Sequence, residues 1–417
     1  MPGPIVAGSG ERRAVPVAPK ARIATLDILR GFALLGMVLA HVHKNMAETA
    51  VTGTTSWVGR FITMGVAEKD RTVFAFLFGV GFAVLMRGLD AKGIPVVALY
   101  LRRLAGLYLI GFAVETLTRF SILREYAWAA VPLLFLRNFP TRSLLALALI
   151  SVAALSIRDL VDSSYTVATA GQASAIAAES AQLRQWEAKK QAELMAVSGP
   201  NYGEVVAARF GQIIHDRPSL YHITPNVYLA LFILGLLAVR HGVFDEPKRH
   251  PCLLVGAMVT GVVLWAAAWW ALPLLPAEFA TPRIALRCHL GLGIVDEQFL
   301  AFTLIGAITW FLAYRPEWQA RLSFLGWVGR MALTNYLLHA VVIDLASSRY
   351  GLGLKLSPPA ELLAAAVLFG FQIALSRFWF TRFRFGPVEW LWRSLTYWRW
   401  QPLRVTPTGA ALAEGGG

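Results

Sequence analysis

Ionisable residues lie inside an apolar segment near the N-terminus. Asp27, Arg30 and His41 fall within residues 23–43, whose other side chains have the composition of a membrane-spanning helix. At about 100° per residue, a helix places Arg30 and His41 within about 20° of one face, roughly 16 Å apart along the axis. Ionisable groups at membrane depth usually face a bundle interior or a wet cavity and mark functional sites. The pattern therefore predicts a function within or across a membrane.

The overall composition indicates an integral membrane protein. Of the 417 residues, 56% are hydrophobic and 15% are charged, and the mean hydropathy is +0.54. This balance lies far from that of a soluble domain. The net charge of +14 resembles that of nucleic-acid-binding proteins, but Lys and Arg fall mostly in short segments between apolar runs. Cytoplasmic loops of multispanning proteins have this distribution, so we expect no nucleic-acid partner.

Apolar runs of roughly 17–25 residues predict an all-α bundle of about ten transmembrane helices. Basic residues cluster in alternate connections, which the positive-inside rule assigns to the cytoplasm. An even number of spans then places both termini in the cytoplasm. The fourth run is the weakest, because it is short and flanked by charges. The runs lie near residues 24–44, 72–88, 95–115, 121–137, 142–161, 223–240, 251–272, 294–313, 324–345 and 358–379.

The spans divide the chain into two membrane regions, residues 21–161 and 223–400, the second ending in a cytoplasmic amphipathic segment. A polar stretch at 162–222 joins them, and its alanine-rich half favours helix by propensity. We expect this stretch outside the cytoplasm as a solvated helical hairpin, with a lid or acceptor-binding element as the alternative. Residues 1–20 and 401–417 are expected to be disordered tails.

A second polar constellation falls in the ninth predicted span. Asn335 and His339 are one helical turn apart on a single face, and Arg330 and Tyr336 lie in the same motif. Interhelical hydrogen bonding and a cavity-lining role both suit such residues in a membrane helix. We therefore treat these four residues as candidates to line a substrate cavity. Asp344 lies nearer the outer end of the span, where solvation is expected.

Two further motifs are interpreted as structural. A pair of glycines among aromatic residues in the second span suits close helix packing. Near the C-terminus, a proline opens a short interfacial helix with a Glu and an Arg spaced for an i,i+4 pair and two tryptophans for the aromatic belt. Contact of this segment with an anionic ligand or lipid headgroups is the alternative. The residues concerned are Gly79, Gly81, Gly386, Pro387, Glu389 and Arg393.

Common enzyme fingerprints are missing from the sequence. It contains no Walker A loop, no zinc-ligand spacing, no Gly-x-Ser-x-Gly elbow and no dinucleotide fingerprint. ATPase, metalloprotease and hydrolase functions therefore lose their usual support, and no metal cofactor is expected. The candidate chemistry depends on His41.

The motifs resemble those of the YeiB-like membrane proteins that carry a domain of unknown function numbered 418, a family grouped with the transmembrane acyltransferases. The resemblance covers nearly the whole chain. In the acyltransferase branch, an Arg followed by ten residues and a His in the first span is a catalytic signature, which Arg30 and His41 match. Ser121 stands where many members have Asp, and His339 where many have Gln. The matching blocks are residues 26–37, 76–82, 232–240, 329–338 and 386–393.

The resemblance implies transfer of an acyl group from cytoplasmic acyl-CoA, typically acetyl-CoA, to a hydroxyl or amine of a sugar or cell-envelope acceptor. His41 would act as general base, Arg30 would bind the donor or stabilise charge, and Asp27 would orient Arg30. Neutral imidazole and permanently charged guanidinium suit these roles. The alternative is a transporter or flippase of a small or lipid-linked solute, in which the three residues line a polar pathway. Either function implies the cytoplasmic (inner) membrane and contact with its lipids.

Overall fold

A computed structural model describes residues 23–47, 57–152, 198–215, 227–271 and 282–405, with a few short gaps, and isolated positions between 169 and 195. Within these ranges the chain is helical and forms no β-strand, only isolated β-bridges that pair Ala47 with Leu356 and Phe383 with Arg404. Outside the described residues lie the predicted tail 1–20, residues 406–417 of the predicted tail 401–417, and many positions of the 162–222 connection.

The helices are numbered in chain order. A π-helical turn at Ile62–Val66 follows α2, and a 3-10 turn at Pro247–Arg249 precedes α10. The helices are α1 (Ala24–Met46), α2 (Trp57–Phe61), α3 (Lys69–Asp90), α4 (Val96–Leu117), α5 (Leu123–Ala129), α6 (Leu133–Leu136), α7 (Thr141–Val152), α8 (Tyr202–His215), α9 (Val227–Arg240), α10 (Pro251–Ala271), α11 (Pro282–Tyr314), α12 (Glu317–Arg321), α13 (Ser323–Arg330), α14 (Ala332–Ser347), α15 (Pro358–Phe380) and α16 (Pro387–Tyr397).

Four of these helices, α1, α3, α4 and α15, are long and apolar enough to cross a membrane. Shorter apolar helices accompany them, namely α7, α9, α14 and the segments Pro251–Ala267 and Gln298–Tyr314. The all-helical membrane architecture expected from composition is confirmed. The count of about ten spans stays a prediction.

Two of the predicted spans are interrupted. The run at 121–137 forms the short helices α5 and α6, and Pro132 lies at the break, where its ring removes a backbone donor. The run at 324–345 divides at Met331 into α13 and α14. The second break exposes the first backbone N–H groups of α14, and a side chain of α16 accepts hydrogen bonds from them, as described below.

Helix α1 lies at the centre of the bundle and contacts α3, α13, α14 and α15. Its crossing with α13 brings the two backbones into direct contact. A Cβ at Gly31 would lie 2.1 Å from the carbonyl oxygen of Leu325, and one at Gly329 would lie 1.9 Å from that of Asp27. Small residues allow this approach in membrane helices. The crossing sets Arg330, which follows Gly329, beside Asp27 and Arg30.

Helices α3 and α9 cross in the same way. A Cβ at Gly79 would lie 2.1 Å from the carbonyl oxygen of Phe232, and one at Gly235 would lie 2.1 Å from that of Phe76. Gly81 differs, because a Cβ there would meet nothing within 4 Å and the residue lines a cavity. The two glycines of the second span therefore have different surroundings.

The segment after α16 folds back along the bundle. The backbone N–H of Arg384 donates to the carbonyl of Leu403 at 2.9 Å, and the N–H of Val405 donates to that of Arg382 at 3.1 Å. Residues 401–405, expected to begin a disordered tail, are thus paired with the segment that precedes α16. Composition did not indicate this pairing, because the pairing depends on contacts with residues elsewhere in the chain.

Candidate functional site

A cavity of about 270 Å³ lies among α1, α3, α4, α5, α13, α14 and α16. Aromatic and aliphatic side chains form much of its wall. Four guanidinium groups and two carboxylates also line it, so the lining carries an excess of two positive charges. Such a wall suits an anion that also has an apolar part. The charged lining residues are Asp27, Arg30, Arg103, Arg330, Glu389 and Arg393.

Three of the four cavity arginines stack on aromatic rings. The Cζ atom of Arg103 lies 3.8 Å from the ring centroid of Trp392, and that of Arg330 lies 4.0 Å from the centroid of Phe380. Arg393 lies over a further ring of the same region, with its Cζ 4.6 Å from the centroid. A stacked ring covers the flat face of a guanidinium group, and the N–H donors of that group point outward in its plane. These arginines are therefore positioned to recognise phosphate or carboxylate oxygens.

The fourth cavity arginine pairs with a carboxylate on its own helix. Nη1 of Arg30 donates to Oδ1 of Asp27 at 2.7 Å, one helical turn away. Both side chains are partly buried and both line the cavity. This is the contact required if Asp27 orients Arg30.

Glu389 joins α16 to the start of α14. Its Oε1 accepts hydrogen bonds from the backbone N–H groups of Leu333 at 2.6 Å and Thr334 at 3.1 Å, and its Oε2 accepts one from the Thr334 hydroxyl at 2.5 Å. Burial raises the pKa of the Glu389 carboxyl, and these hydrogen bonds oppose that rise. The segment containing α16 thus closes one side of the cavity. Glycine at position 386 leaves room for the Glu389 carboxylate, because a Cβ there would lie 2.1 Å from Oε2 of Glu389.

His41 lies beyond the cavity and contacts a second histidine. Its Nδ1 is 3.1 Å from Nε2 of His339, and its ring packs against Phe120 with a centroid distance of 4.5 Å. Met37, one helical turn before His41, lines the cavity. Tyr336 also lines it and packs edge-on against His339 at 5.4 Å. Met37 and Tyr336 therefore connect the cavity wall to the histidine pair.

The four candidates of the ninth predicted span divide into two groups. Arg330 and Tyr336 line the cavity, whereas Asn335 and His339 are fully buried behind it. The Nδ2 group of Asn335 donates to the Ser376 hydroxyl of α15 at 2.9 Å and to a carbonyl of α13 at 3.2 Å. Of the two roles expected for these residues, the contacts of Asn335 match interhelical hydrogen bonding.

Sequence reasoning missed one arginine of the cavity. Arg103 was not among the candidate residues, yet it lies within α4, seven residues after the start of that helix. A charge inside an apolar helix was the available signal, as it was for Arg30. Its ring partner Trp392 also donates its indole N–H to the carbonyl of Arg103 at 2.8 Å.

A separate charged cluster lies at the other end of the bundle. Asp344, expected to be solvated, is 1% exposed and accepts hydrogen bonds from Arg119 at 3.0 Å, Arg209 at 3.2 Å and the hydroxyl of Tyr350. Burial, followed by the hydrogen bond to Asp344, raises the pKa of Tyr350. The expectation failed because Arg209 belongs to α8, in the long connection, and covers the carboxylate. Across the described residues, no group of three or more His, Cys, Asp or Glu side chains could hold a metal ion.

The fold and the cavity define an all-helical membrane protein with a positively charged internal cavity. Residues 238–399 match the family model "Protein of unknown function (DUF418)", and residues 22–179 match "Heparan-alpha-glucosaminide N-acetyltransferase, catalytic". The first match, together with the relatives described next, supports a YeiB-like DUF418 family, and the second match supports a link to acyltransferases.

Curated relatives extend over almost the whole chain. The chain is 28% identical to the uncharacterized protein YxaH of Bacillus subtilis, over 93% of this chain and 97% of the relative. It is 27% identical to the uncharacterized protein YeiB of Escherichia coli, over 90% of this chain and 96% of the relative. An uncharacterized 39.9 kDa protein of Bacillus acidopullulyticus is 24% identical over 93% and 97% of the two chains. No solved structure matches the chain.

Proposed function

We propose that the protein is a membrane-bound acyltransferase. It moves an acyl group from cytoplasmic acyl-CoA to a hydroxyl or amine of a sugar or lipid-linked acceptor in the cell envelope. The observation that carries the proposal is the arginine-lined cavity, which extends along α1 from Arg30 to Met37, one turn before His41. The match to an N-acetyltransferase catalytic region supports the proposal, because residues 22–179 include both Arg30 and His41.

The cavity wall fits the chemistry of an acyl-CoA donor. Acyl-CoA carries phosphate groups on a nucleotide, followed by a long, weakly polar arm that ends in the thioester. Stacked guanidinium groups bind phosphates with paired hydrogen bonds. Apolar residues such as Phe78, Phe82 and Leu107 line the same cavity and suit the arm. The donor then presents its thioester toward the histidine pair.

The acyl transfer needs one base. Nε2 of His41 accepts the proton of the acceptor hydroxyl or amine as the acceptor atom bonds to the thioester carbonyl carbon. The carbon–sulfur bond breaks, and the thiolate of coenzyme A takes the proton back from His41. Protons therefore balance without a metal or a second co-substrate.

The two ends of the bundle support opposite origins for the two substrates. The cavity lies toward the N-terminal end of α1, which the distribution of basic residues assigns to the cytoplasm. Asp344 lies toward the other end, where Arg209 of the 162–222 connection contacts it. We therefore assign about ten spans, cytoplasmic termini and an inner-membrane location, with the donor entering from the cytoplasm and the acceptor from outside.

Ligand-dependent stability tests the donor assignment. Purified protein in detergent is unfolded by heat with increasing acetyl-CoA, beside the Arg330→Gln and Arg87→Gln variants. Ligand at 100 times Kd stabilises a protein by about 2.7 kcal/mol. Loss of a charged hydrogen bond costs about 1.5–3 kcal/mol, so Arg330→Gln should weaken binding roughly 10- to 100-fold. Arg87, which pairs with Asp245 away from this cavity, is the matched control and should bind as the wild type does.

Each outcome bears on the proposal. Saturable stabilisation that Arg330→Gln weakens and Arg87→Gln retains supports acyl-CoA as the donor. If acetyl-CoA and free coenzyme A leave a folded wild-type protein unchanged, the acyltransferase proposal is wrong and the cavity belongs to a transport pathway.

A further inference from the structure

The hydrogen bond between His41 and His339 has a direction that neighbouring groups determine. Nδ1 of His339 lies 3.0 Å from the backbone carbonyl oxygen of Asn335. A carbonyl oxygen only accepts hydrogen bonds, so Nδ1 of His339 carries the hydrogen. The same carbonyl accepts a hydrogen bond from Nε2 of Gln372 at 2.9 Å. Side chains from α14 and α15 therefore share the Asn335 carbonyl oxygen as their acceptor, and this carbonyl sets the orientation of the His339 ring.

The other nitrogen of His339 is an acceptor. His339 is 0% exposed, and among the described residues no carboxylate forms an ion pair with it. An imidazolium there would be a buried charge without a counter-ion, which is costly. The neutral ring with hydrogen on Nδ1 has its lone pair on Nε2. Since Nε2 of His339 lies 3.1 Å from Nδ1 of His41, the hydrogen between them belongs to His41.

We propose that His339 is a positioning residue that holds His41 in the Nδ1–H tautomer. This inference rests on the proposed function, in which His41 is the base. With its hydrogen on Nδ1, His41 has its lone pair on Nε2, the atom that receives the proton of the acceptor. His41 is partly exposed, unlike His339, so Nε2 belongs to the ring that a substrate can reach.

The surrounding rings hold this arrangement. Phe120 packs against His41 at 4.5 Å and against His339 at 6.4 Å, and Tyr336 packs edge-on against His339 at 5.4 Å. Rotation of either imidazole would disturb these contacts. After proton transfer, His41 is an imidazolium, and its Nδ1–H still donates to His339. The same hydrogen bond therefore serves the neutral and the charged form of His41.

Nitrogen-15 histidine NMR tests the tautomer directly in the full chain reconstituted in lipid. Protonated and unprotonated ring nitrogens have distinct chemical shifts, and the His41→Gln variant identifies the His41 signals. We expect protonated Nδ1 and unprotonated Nε2 for wild-type His41. Protonation of His41 at Nε2 in the wild-type protein would overturn the inference. This test does not depend on the folding of any His339 variant.

Two substitutions of His339 with similar volumes test the consequence for activity. Gln retains an acceptor for Nδ1 of His41, whereas Leu retains none. Release of coenzyme A from acetyl-CoA in the presence of envelope extract gives kcat and KM. His339→Leu should lower kcat roughly 10- to 100-fold, by analogy with the loss of the hydrogen-bond partner that orients a metal-bound imidazole, with KM for acetyl-CoA unchanged. His339→Gln should restore much of kcat.

The outcomes separate the two proposals. Equal kcat in a folded His339→Leu variant and the wild type would exclude the positioning role, and so would a fall in KM and kcat that Gln does not rescue. A wild-type protein that releases no coenzyme A would contradict the acyltransferase proposal. The NMR result would still show whether His41 is protonated on Nδ1, as the inference requires.

Discussion

The crossing of α1 and α13 predicts that Gly329→Ala destabilises the protein. An alanine Cβ at position 329 would lie 1.9 Å from the Asp27 carbonyl oxygen, so the helices must separate by about 1.5 Å to reach ordinary contact at 3.4 Å. The atoms that must move belong to helix backbone, which cannot rotate away. Overpacking of this kind costs about 1–3 kcal/mol. Alanine recovers up to about 1 kcal/mol through helix propensity at either glycine, so we expect Gly329→Ala to be about 1–3 kcal/mol less stable than the Gly370→Ala control described next.

The same substitution should weaken donor binding, because Arg330 follows Gly329 directly and moves with α13. A misplacement of about 1 Å can cost up to about 100-fold in function, so acetyl-CoA should stabilise this variant less than the wild type. Thermal unfolding in detergent, followed by tryptophan fluorescence with and without acetyl-CoA, measures both effects. Gly370→Ala is the matched control, since a Cβ there meets nothing within 4 Å. Equal stability of Gly329→Ala and Gly370→Ala would refute the close crossing.

Two further predictions concern charged contacts. Asp344→Ala leaves the buried guanidinium of Arg209 without its carboxylate and should cost about 3–5 kcal/mol, whereas Asp245→Ala breaks an exposed pair and should cost less than about 1 kcal/mol. Chemical or thermal unfolding compares the two, and a similar loss from both would show that the Asp344 cluster is not buried. Glu389→Ala removes the acceptor for the first N–H groups of α14 and should cost about 0.5–2 kcal/mol, with Glu389→Gln losing less. Unchanged stability of Glu389→Ala would contradict the capping role.

Sequence alone predicted the long helices well. The runs 24–44, 95–115 and 358–379 correspond to Ala24–Met46, Val96–Leu117 and Pro358–Phe380. An apolar run of this length has few alternatives, because lipid leaves every backbone polar group to be satisfied within the segment. Periodicity therefore sufficed for these elements.

The break at Met331 could not be predicted from hydropathy, whereas Pro132 marks the break in the run at 121–137. The start of α14 depends on the carboxylate of Glu389, which lies 56 residues beyond Leu333 in the chain. Gly329 and Arg330 precede Met331, but apolar residues follow at once, so hydropathy alone continues the run through this point. A helix end stabilised by a distant side chain gives no signal in its own segment.

The candidate site was predictable in part. Helical spacing related Asp27, Arg30 and His41, because they share one helix. The contact between His41 and His339 joins residues 298 positions apart, and the order of spans does not state which helices are neighbours. The cavity therefore required the three-dimensional arrangement.

Transfer of a labelled acetyl group tests the central claim most directly. Membranes that contain the wild-type protein or the His41→Gln variant are incubated with carbon-14 acetyl-CoA, and label is measured in the envelope lipid and glycan fractions. Loss of a general base lowers turnover about 10²- to 10⁴-fold, so we predict incorporation that depends on the wild-type protein and is nearly absent with His41→Gln. Equal incorporation with both proteins, at equal amounts of folded protein, would contradict the account.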